Sequence, residues 1–434
     1  MKEIQLLPRR AFLVRTGKAV LGAGLALTGP NVCFNRTRAQ TGVSPGEFIR
    51  VGVIGVGGQG RSHLNAPSLA KHIVAVCDVD TRRLAEAQKM VQDRTGRAPA
   101  GFGDYRKLLE SREIDAVVIA TPDHWHALPA VHACEAGKDI YCEKPLTLTV
   151  HEGWAMVRAA RRYQRIVQTG SQQRSDDKFR RACEYVRSGR IGDVKTVRVG
   201  LPGVNWTNEP AVPDSAPPAE LDYDFWIGPA PLRPYNKHRV HYYYRFFWDY
   251  SGGQMTNWGA HHLDIAHWGL GMDESGPVKI SAKADYDPEK RFEVPTWFEI
   301  TYTYANGTKI ICGQSHRNGT TFEGQDGILY VDRGKLECTV KDVLTAPLAA
   351  DEVRLYASKN HHQNWLECIK SRKLPICDVA IGHRTATVCH LGNLAVRLGR
   401  TLRWDPVKEA ILGDTEANER LSYTYRAPWK LPEV

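Results

Sequence analysis

The chain has no long hydrophobic run. The apolar stretch Ala19–Leu27 is about nine residues, and a bilayer-spanning helix needs roughly 20, so no stable membrane span is expected. No Cys-x-x-Cys pair occurs among the ten cysteines, which removes the usual spacing of a structural zinc site. No metal is expected, and Cys77, Cys142 and Cys312, set in apolar runs, read as buried free thiols. Internal repeats and low-complexity tracts are absent, which excludes a solenoid or a long disordered linker. Beyond residue 39 there is no dense Lys/Arg run, so no nucleic-acid footprint. The net charge of +10 overstates the basicity, because residues 1–39 hold seven Lys/Arg against Glu3 alone and leave about four of those charges to the rest. What is present is an ordinary globular balance, 42% hydrophobic and 24% charged over 434 residues. That is enough apolar material for two domains with separate cores.

The N-terminus carries its own pattern. Residues 8–14, Pro-Arg-Arg-Ala-Phe-Leu-Val, resemble the twin-arginine export signal. Ala19–Leu27 suits a signal-peptide core, and Thr37-Arg38-Ala39 places small residues where a signal peptidase inspects. Residues 1–39 are therefore expected to be a signal peptide, and the protein to be periplasmic or otherwise exported by the twin-arginine route, which carries folded proteins.

From Phe48 onward, strands alternate with helices. Apolar, β-branched runs at Phe48–Ile54, Ile73–Cys77, Ile114–Ala120, Asp139–Cys142 and Ile166–Thr169 are separated by helical patterns at 81–93, 129–136 and 150–163. Such alternation predicts a parallel sheet with right-handed crossovers, a doubly wound α/β unit over 40–173. The pattern changes near Gln173. Over 174–434, Trp297–Tyr304, an Asn306-Gly307 turn and Lys309–Cys312 read as a hairpin. A mostly antiparallel sheet is expected there, with helices near 178–188, 360–371 and 379–398.

Three motifs carry chemistry. The first is Gly55-Val-Gly57-Gly58-Gln59-Gly60, placed directly after a strand and opening a helix. Gly55 permits the tight turn, Gly57 admits a pyrophosphate to the backbone, and the helix N-terminus receives its charge. Asp78, 18 residues past Gly60, is placed to accept hydrogen bonds from ribose hydroxyls, favouring NAD; Arg82 and Arg83 keep NADP open. The second is Glu143-Lys144-Pro145 at a strand's carboxyl end, where open α/β sheets bind ligands. Lys144 there is a candidate to take or relay a hydroxyl proton, although a surface salt bridge would also explain a Glu-Lys pair. The third is Gly252-Gly-Gln-Met-Thr-Asn257-Trp-Gly-Ala-His261-His262-Leu-Asp264. His261 is suited to shuttling protons near neutrality and Asp264 to orienting an imidazole, or the histidines are structural.

Together with Thr121-Pro122-Asp123-x-x-His126, these motifs resemble the Gfo/Idh/MocA oxidoreductases over about Ile49 to Arg400. The resemblance implies an N-terminal Rossmann domain and a C-terminal α+β domain with an open, mainly antiparallel sheet. It assigns Lys144 as catalytic lysine and His261 as the histidine that activates the substrate hydroxyl, and it sets His126, with Thr121, Pro122 and Glu143, near the nicotinamide. Asn257 stands where many members have an aspartate, four residues before the histidine; an amide accepts no proton, so an Asp–His relay is unavailable.

Gln168, Gln172 and Arg174 follow the last Rossmann strand, and with His262 and Asp264 they are candidates for the substrate side. Asp222–Tyr250 holds 11 of the 39 aromatic residues. That stretch suits sugar rings or equally an oligomer interface, and His238, Arg239 and His241 within it are further candidates. The expectation is an exported NAD(P)-dependent oxidoreductase acting on a sugar or polyol hydroxyl with tightly held cofactor. The alternatives are a glycosidase working by transient oxidation and elimination, and a non-catalytic sugar-binding protein. The resemblance also implies a homo-oligomer, dimer or tetramer.

Overall fold

The computed structural model describes residues 48–206 and 208–434; the twin-arginine motif and the Ala39 cleavage site lie outside them. Six strands form the first sheet: β1 (Val51–Ile54), β2 (Ile73–Cys77), β3 (Ala100–Phe102), β4 (Ala116–Ile119), β5 (Asp139–Cys142) and β6 (Val167–Thr169). All pair in parallel, in the order β3-β2-β1-β4-β5-β6, the doubly wound order of dinucleotide-binding folds. Burial on both faces explains why β1, β2, β4, β5 and β6 read as apolar runs; β3, a largely exposed edge strand, gave no such run in the sequence. Val51 and Val53 join one core with the helices Gly58–Asn65 and Thr81–Thr95. Ile54, Val117 and Ile119 join the other, with the helices Ala127–Glu135 and Val150–Arg162.

The second sheet has nine strands: β7 (Val194–Gly200), β8 (Lys279–Asp285), β9 (Trp297–Thr303), β10 (Lys309–Gly313), β11 (Gly319–Gly324), β12 (Ile328–Asp332), β13 (Lys335–Cys338), β14 (Leu402–Asp405) and β15 (Ala410–Ile411). Their order is β13-β12-β11-β7-β10-β9-β8-β14-β15, antiparallel except for β7 beside β10. The expected hairpin is β9–β10, turning through Gly307 at φ +85°. Period-two burial along β9 puts Phe298, Ile300 and Tyr302 against a helical layer of Asp177–Arg187, Gly259–Leu270 and Val379–Leu398.

The chain then returns to the first sheet. Trp365, Leu366, Cys368 and Ile369 of the helix His361–Ser371 complete the core over Val51 and Val118, and Val379 and Ala386 enter the opposite one. C-terminal residues thus help to cover both faces of the Rossmann sheet. Among the described residues all nine cysteines are free, eight of them buried. No described helix is long and apolar enough to cross a membrane.

Candidate active site

The carboxyl ends of β1, β4 and β5 open into one cavity of about 520 Å³. The β1 turn supplies Gly55, Gly57, Gly58 and Gln59, the β4 end supplies Thr121, Pro122, Asp123 and His126, and the β5 end supplies Glu143, Lys144 and Pro145. The second half of the chain closes the opposite wall with Trp226, His241, Tyr244, Arg245, Ser251 and Asn257.

The β1 turn is shaped for a diphosphate. A Cβ on Gly55 (φ +83°) would lie 2.8 Å from the Ala120–Thr121 backbone, one on Gly60 would strike the Gly55 carbonyl, and one on Gly58 would meet nothing within 4 Å. Gly60, away from the cavity lining, thus serves the close turn-to-helix packing. The helix that begins at Gly58 has no side-chain cap and no acid in its first turn, which leaves its first N–H groups and its positive dipole end for an anion. Asp78 accepts from Val56 N–H at 2.9 Å and Asp80 N–H at 3.0 Å. Each oxygen keeps lone-pair capacity for a ribose hydroxyl, and burial raises this carboxyl's pKa above its ordinary value. Arg83 also lines the cavity, and its guanidinium lies over Gly57; Arg82 is exposed.

Lys144 is the centre of the site. Its ammonium donates to the Asn257 backbone carbonyl and to Asn257 Oδ1, both at 3.1 Å, so one of its three N–H donors is left for a ligand. Burial lowers the Lys144 pKa, with Glu143 and Asp123 opposing and Arg245 and Arg333 reinforcing. The surface salt bridge that would explain a Glu-Lys pair is not formed. Glu143 instead receives Gln59 Nε2 at 3.2 Å and lies 3.0 Å from His63 Nε2; burial pushes its carboxyl up, but His63 and Lys144 hold it below the ordinary value. Asn257 Nδ2 donates to Gln254 Oε1 at 3.2 Å, which fixes the amide with its oxygen toward Lys144.

His261 is 5% exposed, with Nδ1 buried and without a hydrogen-bond partner. Burial, then Lys144 and Arg333, hold it well below the usual histidine range, so the ring is neutral near pH 7. It follows Asn257 by four residues, edge-on to the Trp258 ring at 5.9 Å, and is not among the residues lining the cavity. His126 braces the floor, its ring nitrogens 2.7 Å from the Pro145 carbonyl and 2.9 Å from that of Thr121.

Several expected substrate residues are placed elsewhere. Arg174 is 1% exposed and binds both oxygens of Asp264 at 2.8 Å, with Asp273 at 2.7 and 3.0 Å. Asp264 therefore orients a guanidinium and not an imidazole, and the pair ties the turn Gln172–Ser175 to the helix Gly259–Leu270. Gln172 is exposed, away from the cavity. His262 is fully buried, stacked on Trp258 with ring centroids 5.8 Å apart. Gln168 donates to the His361 carbonyl at 2.6 Å. Of the aromatic-stretch candidates, only His241 lines the cavity, and burial takes its pKa down to about 4. His238 lies 3.6 Å from Glu209, and Arg239 pairs with Asp214 at 2.9 Å.

Sequence reasoning gave no role to Asp123 or Tyr244. Asp123, 4% exposed, accepts from Tyr244 Oη at 2.9 Å and Ser251 Oγ at 2.5 Å. The only signals were its place in the Thr-Pro-Asp strand end and the aromatic density of 222–250.

Models of the Gfo/Idh/MocA oxidoreductases match almost the whole described chain: the NAD-binding Rossmann fold over residues 49–171 and the C-terminal alpha/beta domain over 184–431. The chain belongs to this family. The first half is accordingly the family's NAD-binding unit. Sequence relatives include glycosyl hydrolase family 109 protein 1 of Shewanella sp. MR-4, 32% identical over 176 residues. Family 109 protein 2 of Shewanella sp. ANA-3 is 42% identical over 177. Each match covers 36% of this chain and 38% of the relative's length. Among solved structures, the WlbA dehydrogenase of Bordetella pertussis, in complex with NADH and UDP-GlcNAcA, superposes with a TM-score of 0.61. It is 18% identical and covers 83% of this chain and 99% of its own. The scyllo-inositol dehydrogenase of Lactobacillus casei, with NAD(H) and scyllo-inositol, gives 0.58 at 19% identity, covering 82% and 99%. At these identities the likeness concerns the fold.

Proposed function

We propose that this Gfo/Idh/MocA protein is an exported oxidoreductase that holds NAD tightly and oxidises a hydroxyl of a sugar or polyol. The observation that carries the reading is the half-buried Lys144 ammonium in the cavity wall. It is held from Asn257 beside the Gly55–Gln59 turn, with its pKa lowered and one donor left for a ligand. Bound NAD supplies the hydride acceptor. Lys144 orients the reacting hydroxyl and takes its proton, which its lowered pKa favours. His261 lies outside the cavity lining with its pKa held well below the usual histidine range, so the proton taken by Lys144 leaves to solvent and not to His261. Asp78 favours NAD over NADP, because a buried carboxylate accepts ribose hydroxyls and repels a 2′-phosphate. Residues 1–39 direct export of the folded protein, and a retained cofactor suits a compartment without free nucleotide.

A second reading rests on Asn257 and on the family 109 relatives. There the same oxidation is transient: elimination and re-reduction follow, and the outcome is glycosidic cleavage with no net redox change. One experiment addresses both readings. The purified protein is denatured and the released nucleotide identified, and the native protein's nicotinamide absorbance is followed on adding sugars and glycosides. Bound NAD that is reduced by a sugar supports the oxidoreductase; redox cycling with release of an aglycone supports cleavage. Absence of bound nucleotide together with failure to take up NAD or NADP removes both, leaving a non-catalytic sugar-binding protein.

A further inference from the structure

A short segment of the C-terminal half is bonded across the carboxyl edge of the Rossmann sheet. Residues 220–228 contain the five-residue helix Tyr223–Ile227, capped by Asp222 accepting from Phe225 N–H. One end of the segment is tied to the turn after β2. Thr81 N–H donates to the Glu220 carbonyl at 2.9 Å and Asp222 N–H to that of Val79 at 3.0 Å, and Leu221 thereby pairs with Asp80 in an antiparallel bridge. The other end is tied to the turn after β4, where Trp125 Nε1 donates to the Trp226 carbonyl at 2.8 Å and His124 Nε2 lies 3.1 Å from it. β2 and β4 are the two neighbours of β1 in the sheet. The segment therefore spans the end of β1, and its Leu221, Phe225 and Trp226 line the same cavity as Gly55, Gly57, Gly58 and Gln59 of the diphosphate turn. A dinucleotide seated on that turn, with its ribose on Asp78, would lie under this strap.

A helix of five residues is unstable alone, and residues near the end of the chain brace it. Arg426 donates Nε to the Gly228 carbonyl and Nη2 to that of Asp224, both at 2.9 Å, with Nη1 on the Asp224 carboxylate at 2.6 Å. Trp429 stacks on Phe225, with centroids 5.3 Å apart and 16° between the planes, and meets Trp125 edge-on at 4.9 Å. Neither Arg426 nor Trp429 lines the cavity, whereas Phe225 and Trp125 both do. We propose that Arg426 and Trp429 are a latch: they hold the strap closed over the dinucleotide, and release of the cofactor waits on their undocking. This rests on the reading of a retained cofactor above and names the residues that retain it. The Asp224 carboxylate is 76% exposed, so that ion pair adds little. The bonds to two backbone carbonyls and the ring stack carry the latch.

The test follows NAD leaving the full chain. Protein loaded with adenine-labelled NAD is chased with excess unlabelled NAD, and amide hydrogen exchange of the loaded protein is read in parallel. Trp429→Ala and Arg426→Gln are each expected to release the label about tenfold faster, the scale of a lost aromatic pair or of two lost hydrogen bonds. Peptides carrying the Thr81 and Asp222 amides should lose protection in these variants while those of β9 and β10 keep theirs. Release at the wild-type rate, faster release with the bridge still protected, or exchange that rises equally over both sheets overturns the latch. A further variant leaves the tail untouched. Hydrogen bonds on either side of the Asp80–Leu221 pair mark it as the close kind, with Cα atoms about 4.5 Å apart, a spacing that accepts a disulfide. Asp80→Cys combined with Leu221→Cys, once oxidised, should trap the label, and a thiol reductant should free it. Equal release from the oxidised and reduced forms overturns the strap. Wild-type protein that sheds NAD within seconds removes tight retention from the reading above; the latch is then upheld if both tail variants shed it faster still with the bridge amides unprotected, and overturned if they do not.

Discussion

At the scale of single residues, the contact between Lys144 and Asn257 sets the chemistry. An amide oxygen 3.1 Å from the ammonium satisfies a donor without favouring the charged state as a carboxylate would, so burial prevails and the lysine's pKa falls. Asn257→Asp reverses that balance. A charged partner at the same distance stabilises the ammonium, its pKa rises, and the neutral lysine that accepts a proton becomes scarcer at neutral pH. The expected outcome is a pH–rate profile for NAD reduction whose acidic limb, set by deprotonation of Lys144, moves up by about one unit, with a loss of roughly tenfold in kcat near pH 7. An unmoved profile would sink this account. Lys144, Asn257 and the Gly55–Gly60 turn were legible because short motifs declare them. Asp123 and Tyr244 were not, because their pairing spans 121 residues of sequence and only the closing of the second half over the first brings them together.

Among the elements, the helix Gly259–Leu270 carries His261 and is anchored through Asp264 to Arg174. The sequence suggested a substrate role for Arg174, a polar residue just past the last Rossmann strand; the fold turns it inward, onto two carboxylates. These roles predict different outcomes for Arg174→Leu. Removing the cation leaves Asp264, 0% exposed, and the largely covered Asp273 uncompensated, which costs about 3–5 kcal/mol. Denaturant unfolding should show that loss, and any fall in activity at low temperature should be in kcat, through loosening of the helix Gly259–Leu270 that directly follows Asn257 and Trp258, with KM for the sugar little changed. A large rise in KM with stability intact would return Arg174 to the substrate. The elements themselves were readable where local chemistry decides them. Asn360 caps the helix His361–Ser371 by accepting from Gln363 N–H, and Asn306-Gly307 turns the β9–β10 hairpin. The sequence did not reveal where that helix docks. Its apolar side, Trp365 and Ile369, would fit either sheet, and it is the topology that places it on the Rossmann core.

For the whole molecule, the fold carries an acid sensitivity set by histidines. His124, His267, His361 and His390 are each less than 9% exposed, and burial takes their pKa values down to about 3 for His124 and about 4 for the other three. They sit in the turn after β4 and in three helices of the C-terminal half, so their protonation strikes both halves of the chain. A histidine whose folded pKa lies below its unfolded value of 6.5 stays neutral in the native state while the unfolded chain takes up the proton. Stability is therefore full above about pH 6.5 and falls as pH drops toward 4, by about 1.4 kcal/mol per unit for each group once the unfolded form is protonated. Four such groups give roughly 5 kcal/mol per pH unit, comparable to the whole stability of an ordinary domain. The melting temperature, measured at constant NAD so that cofactor binding does not shift the baseline, should be level from pH 8 to 7, decline steeply between 6.5 and 5, and leave the chain unfolded near pH 4. His390→Gln keeps a polar side chain at that position but removes one titrating ring, so its melting curve should be shallower across the same window even where its stability at pH 8 is lower. A wild-type melting temperature that stays level from pH 6.5 to 5 would show that these rings protonate without leaving the fold.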